Sequence, residues 1–227
     1  MKKLDWFIVK KFLGTYVFMI VVVMSISMIF DVSELAAQEK YRLLNGGVTP
    51  RPIAWISTRS SDNIDNLAPY SFFTVASCNP PVLLYTQVTQ RSGVDKDTLQ
   101  NLIETGECVI NIVNAPLLEK MNMTSAGLAI DDSEFNFANV QSCSSHNVMP
   151  LSVKHSPIRY ECSLRDIITI SDLPAGGQVI LLDVKCIYVH DTLYENGTIN
   201  QALVNSVGKM GGDYFSLTTE RVELTRP

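Results

Sequence analysis

Residues 51–73 read RPIAWISTRSSDNIDNLAPYSFF: an apolar run, a polar turn, and a second run that opens Asn-Leu-Ala-Pro and closes on two aromatics. Two strand-like runs joined by a short polar link pair as an antiparallel hairpin, so any fold for this chain must be built around one here. A buried sheet position is ordinarily Val or Ile. Here small, hydroxylated and aromatic residues stand instead, which leaves space and hydrogen-bonding groups for a flat ligand.

The chain from Tyr41 onward carries a mainly β pattern. Ile53, Ala54, Trp55 and Ile56 predict a strand after Pro50 and Pro52, residues 67–76 a second, and residues 82–88 a third after Pro80 and Pro81. Residues 59–65 are the hairpin loop. A helix follows, with Asp97 as N-cap, Gln100 completing a capping box, Leu99, Leu102 and Ile103 as its apolar face, and Gly106 as its stop. Next come a buried strand over 108–113, a second helix over 115–126, and a polar stretch over 131–157 that reads as a lid or surface loop. Two long strands are expected over 160–170 and 178–191, then a turn at Asn196-Gly197 and a short helical piece over 200–207. About six strands with few crossover helices predict an antiparallel closed sheet, mainly β with peripheral helices. No GxGxxG follows a strand, so a Rossmann-type dinucleotide site is not expected.

The 227 residues suit one domain, or one domain with an appendage, and 46% are apolar, enough for a proper core. A net charge of −5 without a basic stripe argues against nucleic acid. The five cysteines are scattered and form no CxxC, which is neither a disulfide framework nor a zinc knuckle; they read as small buried apolar residues. The three histidines are unclustered, so no metal site is expected.

The N-terminus reads differently. Lys2, Lys3, Lys10 and Lys11 flank an uncharged run over residues 12–30. As a helix this run is about 28 Å long, close to the roughly 30 Å of bilayer hydrocarbon. The expectation is a membrane span with a cytoplasmic N-terminus, the domains being 1–37 (hydrophobic helix) and 38–227 (soluble). A cleaved signal peptide fits less well, because Leu35-Ala36-Ala37 follows acids. WFIVKKFLGTYVFMIVVVMSISMIFDVSE resembles the first transmembrane helix of LptF/LptG-type permeases of lipopolysaccharide export. That resemblance stops near residue 35, which suggests a fusion or junction between residues 34 and 40.

For chemistry, the helix that starts at Lys96-Asp97-Thr98 offers N-terminal N–H groups, an ammonium and a hydroxyl, a cradle for phosphate. The same residues also describe an ordinary capped surface helix. Ser71, Phe72 and Phe73 can line a flat ring or fill the sheet's interior. Ser57 and Thr58 can bind a phosphate or a polyol chain, or serve as turn residues. Trp55 is more often core than ligand contact.

Taken in order, RLLNGGVTPRPIAWIST, NLAPYSFF, NPP, KDTLQNL, GECVINIV and VGKMGGDYF resemble the flavin reductase-like family with an FMN-binding split barrel, from about residue 41 to the end. That family includes flavoredoxins and the reductase components of two-component monooxygenases. The resemblance implies a homodimeric split β-barrel with FMN near the subunit interface and NADH or NADPH as co-substrate. It implies Arg51, Ser57 and Thr58 near the phosphate and ribityl chain, with Lys96 and Thr98 on the phosphate; Trp55 is counted among the cofactor-binding residues. Asn66, Ala68, Pro69, Ser71, Phe72 and Phe73 then lie against the isoalloxazine.

The implied activity is hydride transfer from NAD(P)H to flavin, supplying reduced flavin to a partner monooxygenase or other acceptor protein, in the cytoplasm. The alternative is a flavoredoxin-like carrier or flavin-binding module without direct NAD(P)H activity. His190, closing a long strand, reads as a nicotinamide contact or as a structural histidine. Asp95 beside Lys96 departs from the family pattern and weakens a phosphate site there.

Overall fold

The computed structural model describes residues 10, 11, 13, 28–88 and 96–225. The expected membrane span falls largely on residues 12 and 14–27, and Asp95 on 89–95, all outside the described residues. Among the described residues, no helix is long and apolar enough to cross a membrane. The chain divides into two compact units, residues 1–40 and 41–227.

Helix α1 spans Ala37–Gly47, and strands β1 to β5 span Arg51–Pro52, Ala54–Arg59, Asp65–Tyr70, Phe73–Cys78 and Pro81–Val88. Helix α2 (Asp97–Thr105) and β6 (Glu107–Ile112) follow, then a 3-10 turn at Ala115–Leu117 running into α3 (Leu118–Met123), and α4 (Glu134–Phe137). The paired β7 (Ser142–Cys143) and β8 (Ser152–Val153) lead to the long strands β9 (Ile158–Thr169) and β10 (Gly177–Val189). The small pair β11 (Tyr194–Glu195) and β12 (Thr198–Ile199), helix α5 (Gln201–Val204), β13 (Val207–Lys209) and β14 (Phe215–Leu217) complete the chain. The turn expected at Asn196-Gly197 is there, with φ of 51° and 80°.

Connectivity proves that the main sheet closes. Its seven strands run in the order β3-β2-β6-β9-β10-β5-β4, every neighbour antiparallel. A flat sheet of that width would part its two edge strands by about 29 Å. Yet β3 ends at Tyr70 and β4 begins at Phe73, a step of at most about 11 Å. The sheet must therefore curl until its edges meet, and Tyr70 on β3 packs against Tyr85 on β5, ring centroids 4.8 Å apart, and donates its hydroxyl to Gln87 Oε1 at 3.4 Å. The single strand expected over 67–76 is thus two strands on opposite sides of that seam, broken at Ser71-Phe72. The architecture is mainly β with peripheral helices.

The hairpin β2–β3 is buried on both faces, which explains its composition. Ala54, Ile56 and Tyr70 face the barrel interior with Leu83, Tyr85, Ile110, Ile180 and Leu182. Trp55 and Leu67 face outward into a second cluster built by Leu117, Met121, Phe135, Val140 and Val153. The stretch 131–157 is therefore no loose loop: α4, β7 and β8 seal the outer face of the hairpin. Asn111, fully buried, fastens it by accepting the Val153 N–H at 2.8 Å while donating to the Trp55 carbonyl at 3.0 Å.

Helix α2 corrects the sequence in two respects. Its N-cap is Lys96, extended at φ −73° and ψ 150°, with no side-chain cap; Asp97 is the first helical residue, so the capping box does not form. Its buried stripe is Thr98, Leu99, Asn101 and Leu102. Ile103, about 100° round the helix from Leu102, is 59% exposed. Gly106 ends the helix in the left-handed region, as expected.

Candidate functional site

The two buried polar residues of α2 meet those of the hairpin. Asn101 donates to the Thr58 hydroxyl at 3.0 Å, and Asn66 donates to Thr98 at 2.9 Å and to Thr58 at 3.4 Å. All four are nearly inaccessible. Buried amides and hydroxyls left unpaired cost about 1–3 kcal/mol each, so this network fixes where α2 begins relative to β3.

That junction opens into a cavity of about 290 Å³. Asn66, Ala68 and Pro69 form one wall, Lys96, Asp97 and Thr98 a second, and residues 124–128 with Glu134 close it. The Lys96 ammonium stands 5.1 Å from the Tyr70 ring centroid, and burial lowers its pKa. It takes part in none of the ion pairs found among the described residues. A half-buried cation at a helix N-terminus, whose first N–H groups lack intrahelical partners, suits an anion. Thr98 and Ser125 add hydroxyls. The donor set fits a phosphate ester, and the β3 wall of Asn66, Ala68 and Pro69 continues from it.

Burial also raises the Glu134 carboxyl, more than the hydrogen bond from the Leu67 N–H lowers it, and Asp97 pushes the same way. Burial likewise raises the Tyr70 phenol.

The other expected residues separate into groups. Arg51 is 7% exposed, and its guanidinium donates to the carbonyls of Asn45 (2.6 Å), Val48 (2.8 Å) and Met210 (3.1 Å), and to the Ser71 hydroxyl (3.4 Å). It lies 5.9 Å from the Phe72 ring centroid. Arg51, Ser71 and Phe72 thus form one assembly at the seam, where Ser71, Phe72 and Phe73 are half-buried and the next residues of β4 exposed. Trp55 presents no surface, and its indole N–H donates to Thr124 at 2.8 Å. Ser57, equally buried, donates to the Leu151 carbonyl. His190 closes β10 and caps the 3-10 turn at Asp191–Leu193, its ring against Thr192 at 2.9 Å.

Sequence reasoning missed the wall at 124–128 and Glu134. A trace of the first was available, because a buried indole N–H needs an acceptor and Trp55 finds Thr124. Nothing in the sequence marks Glu134. A second cavity, about 630 Å³ and lined by Asp131, Asp132, Phe135 and Phe137, adjoins through Leu128; among the described residues its lining holds carboxylates and no cation, which does not suit an anion.

Residues 46–205 match the family described as the flavin reductase like domain. The Bacillus subtilis (strain 168) protein YwrF is 33% identical over 204 residues, covering 88% of this chain and 98% of its own. Nitrilotriacetate monooxygenase component B from Bacillus cereus superposes with a TM-score of 0.82 at 28% identity, covering 87% of this chain and 98% of that one. Pseudomonas fluorescens 2-nitrobenzoate 2-nitroreductase superposes with a TM-score of 0.79 at 28% identity, covering 88% and 96%.

Proposed function

The chain belongs to the flavin reductase-like family, with its split-barrel fold, and on that premise we propose that it is an FMN-binding oxidoreductase passing hydride from NADH or NADPH to flavin. The observation that carries this reading is Lys96, a half-buried cation without an ion-pair partner among the described residues, set at the start of α2 in a polar cavity.

In this reading Lys96, Thr98 and the first N–H groups of α2 hold the phosphate. Asn66, Ala68 and Pro69 form the wall along the ribityl chain, and Ser71, Phe72 and Phe73 flank the ring. Arg51 holds the Ser71 hydroxyl, and Thr58 with Asn101 fixes the Asn66 amide. When bound, FMN supplies the hydride-accepting ring nitrogen; the chain supplies orientation and a water-poor surface. No nucleophile is required.

The functional unit is a homodimer, and reduced flavin leaves it for a partner oxygenase. The free cysteines at 78, 108, 143, 162 and 186 suit a reducing, cytoplasmic compartment.

The purified full chain, supplied with FMN, is expected to oxidise NADH or NADPH, read as loss of nicotinamide absorbance. FMN binding without any NAD(P)H oxidation defeats the enzyme reading. Failure to bind FMN defeats the site.

A further inference from the structure

Glu134 is 5% exposed, yet it lines the cavity that holds Lys96. It opens α4, and its Oε2 accepts the Leu67 N–H at 2.9 Å. Leu67 lies between Asn66 and Ala68, so this carboxyl fixes the edge strand that forms the cavity wall. Neither Glu134 nor Lys96 enters an ion pair among the described residues, so the cavity holds the two charges unneutralised by direct contact.

Asp97 and Lys96 stand at the start of α2 and line the same cavity. Tyr70, on β3, has its phenol raised further by the charge of Glu134. Asp65, also on β3, is bound to Arg59 at 2.8 Å. From α3, Glu119 is exposed and Lys120 donates to the Asn139 carbonyl. Asp131 and Asp132 line the adjoining cavity.

We propose that Glu134 is the proton acceptor of this cavity: an anionic phosphate entering beside Lys96 is taken up together with a proton on the Glu134 carboxyl. Two like charges about 8 Å apart at an effective dielectric constant of 20 oppose each other by a factor on the order of thirty in an equilibrium constant. Burial and Asp97 already favour the neutral acid. Protonation at Oε1 leaves Oε2 free to keep the Leu67 hydrogen bond, so the wall need not move. The phosphate then binds with up to one proton and its affinity falls as pH rises, by at most tenfold per unit. This inference rests on the reading that the cavity takes the flavin phosphate.

The test is calorimetric titration of the full chain with FMN and with riboflavin, each in two neutral buffers of different ionisation enthalpy. Uptake of about half to one proton per FMN is expected, with none for riboflavin. E134Q keeps an oxygen for the Leu67 N–H and is expected to bind FMN without that uptake. The phosphate monoester of FMN can only release protons on entering a cationic site, so the protons taken up belong to the protein; should E134Q fail to fold, E134A separates Glu134 from Lys96, whose pKa burial lowers, and uptake that persists in E134A overturns the inference. FMN binding without proton uptake, or undiminished uptake in E134Q, overturns the inference while leaving the flavin site intact. Absence of FMN binding overturns both.

Discussion

Arg51 and Lys96 are both cations at the margin of the same hairpin, and their surroundings assign them opposite work. The Arg51 guanidinium is taken up by three backbone carbonyls and a hydroxyl, tying the end of α1 to Met210 and to the seam at Ser71. The Lys96 ammonium has an aromatic face on one side and a polar cavity on the other. A cation whose donors are already spent holds the fold together. A cation at a helix N-terminus with no ion pair among the described residues is where an anion gains most.

The contrast breaks first at Arg51. R51M strands several carbonyls and is expected to cost about 3–5 kcal/mol, lowering the unfolding midpoint by roughly 10 °C. An unchanged midpoint would mean that the clamp does not hold the segments together. K96M should behave in the opposite way. It leaves the midpoint level or higher, because a half-buried charge is gone, and weakens FMN by about 10- to 100-fold, the worth of one charge-assisted contact. Equal losses of stability in the two variants would erase the distinction.

A smaller effect tests the far wall of the cavity. W55F removes the indole donor to Thr124 and leaves part of a fully buried ring's volume unfilled, at a cost of about 2 kcal/mol read by denaturant unfolding. A larger loss would assign the indole more than this hydrogen bond and its share of the packing.

The smallest effect is a pH slope. Glu134 has its folded pKa raised, so the unfolded chain gives up this proton first as pH rises. Stability therefore declines from the ordinary carboxylate range up to the raised value and is level beyond it. In flavin-free protein E134Q is expected to flatten that decline; a slope identical in both proteins would place its origin elsewhere.

Much of this was legible in the chain. The hairpin at 51–73, the stop at Gly106, the turn at Asn196-Gly197 and the long strands β9 and β10 follow from local pattern. The helix start marked Lys96 and Thr98, the family resemblance marked Asn66, Ala68 and Pro69, and the fold gathers all five around one cavity. What stayed hidden depends on distant partners. The break at Ser71-Phe72 is set by closure of the barrel, and no local signal separates one long strand from two that bridge a seam. The polarity of 131–157 masks Phe135, Val140 and Val153, which pack on Trp55. Asp97 looked like a cap because residue type alone cannot reveal that Lys96 already holds the extended conformation.

The central claim is that the Lys96 cavity exists for a phosphate-bearing flavin. Equilibrium titration of the full chain with FMN and riboflavin side by side tests it most directly. FMN is expected to bind at least tenfold more tightly than riboflavin, with the difference lost in K96M. Equal Kd values for the two flavins, or a preference that survives K96M unchanged, would contradict it.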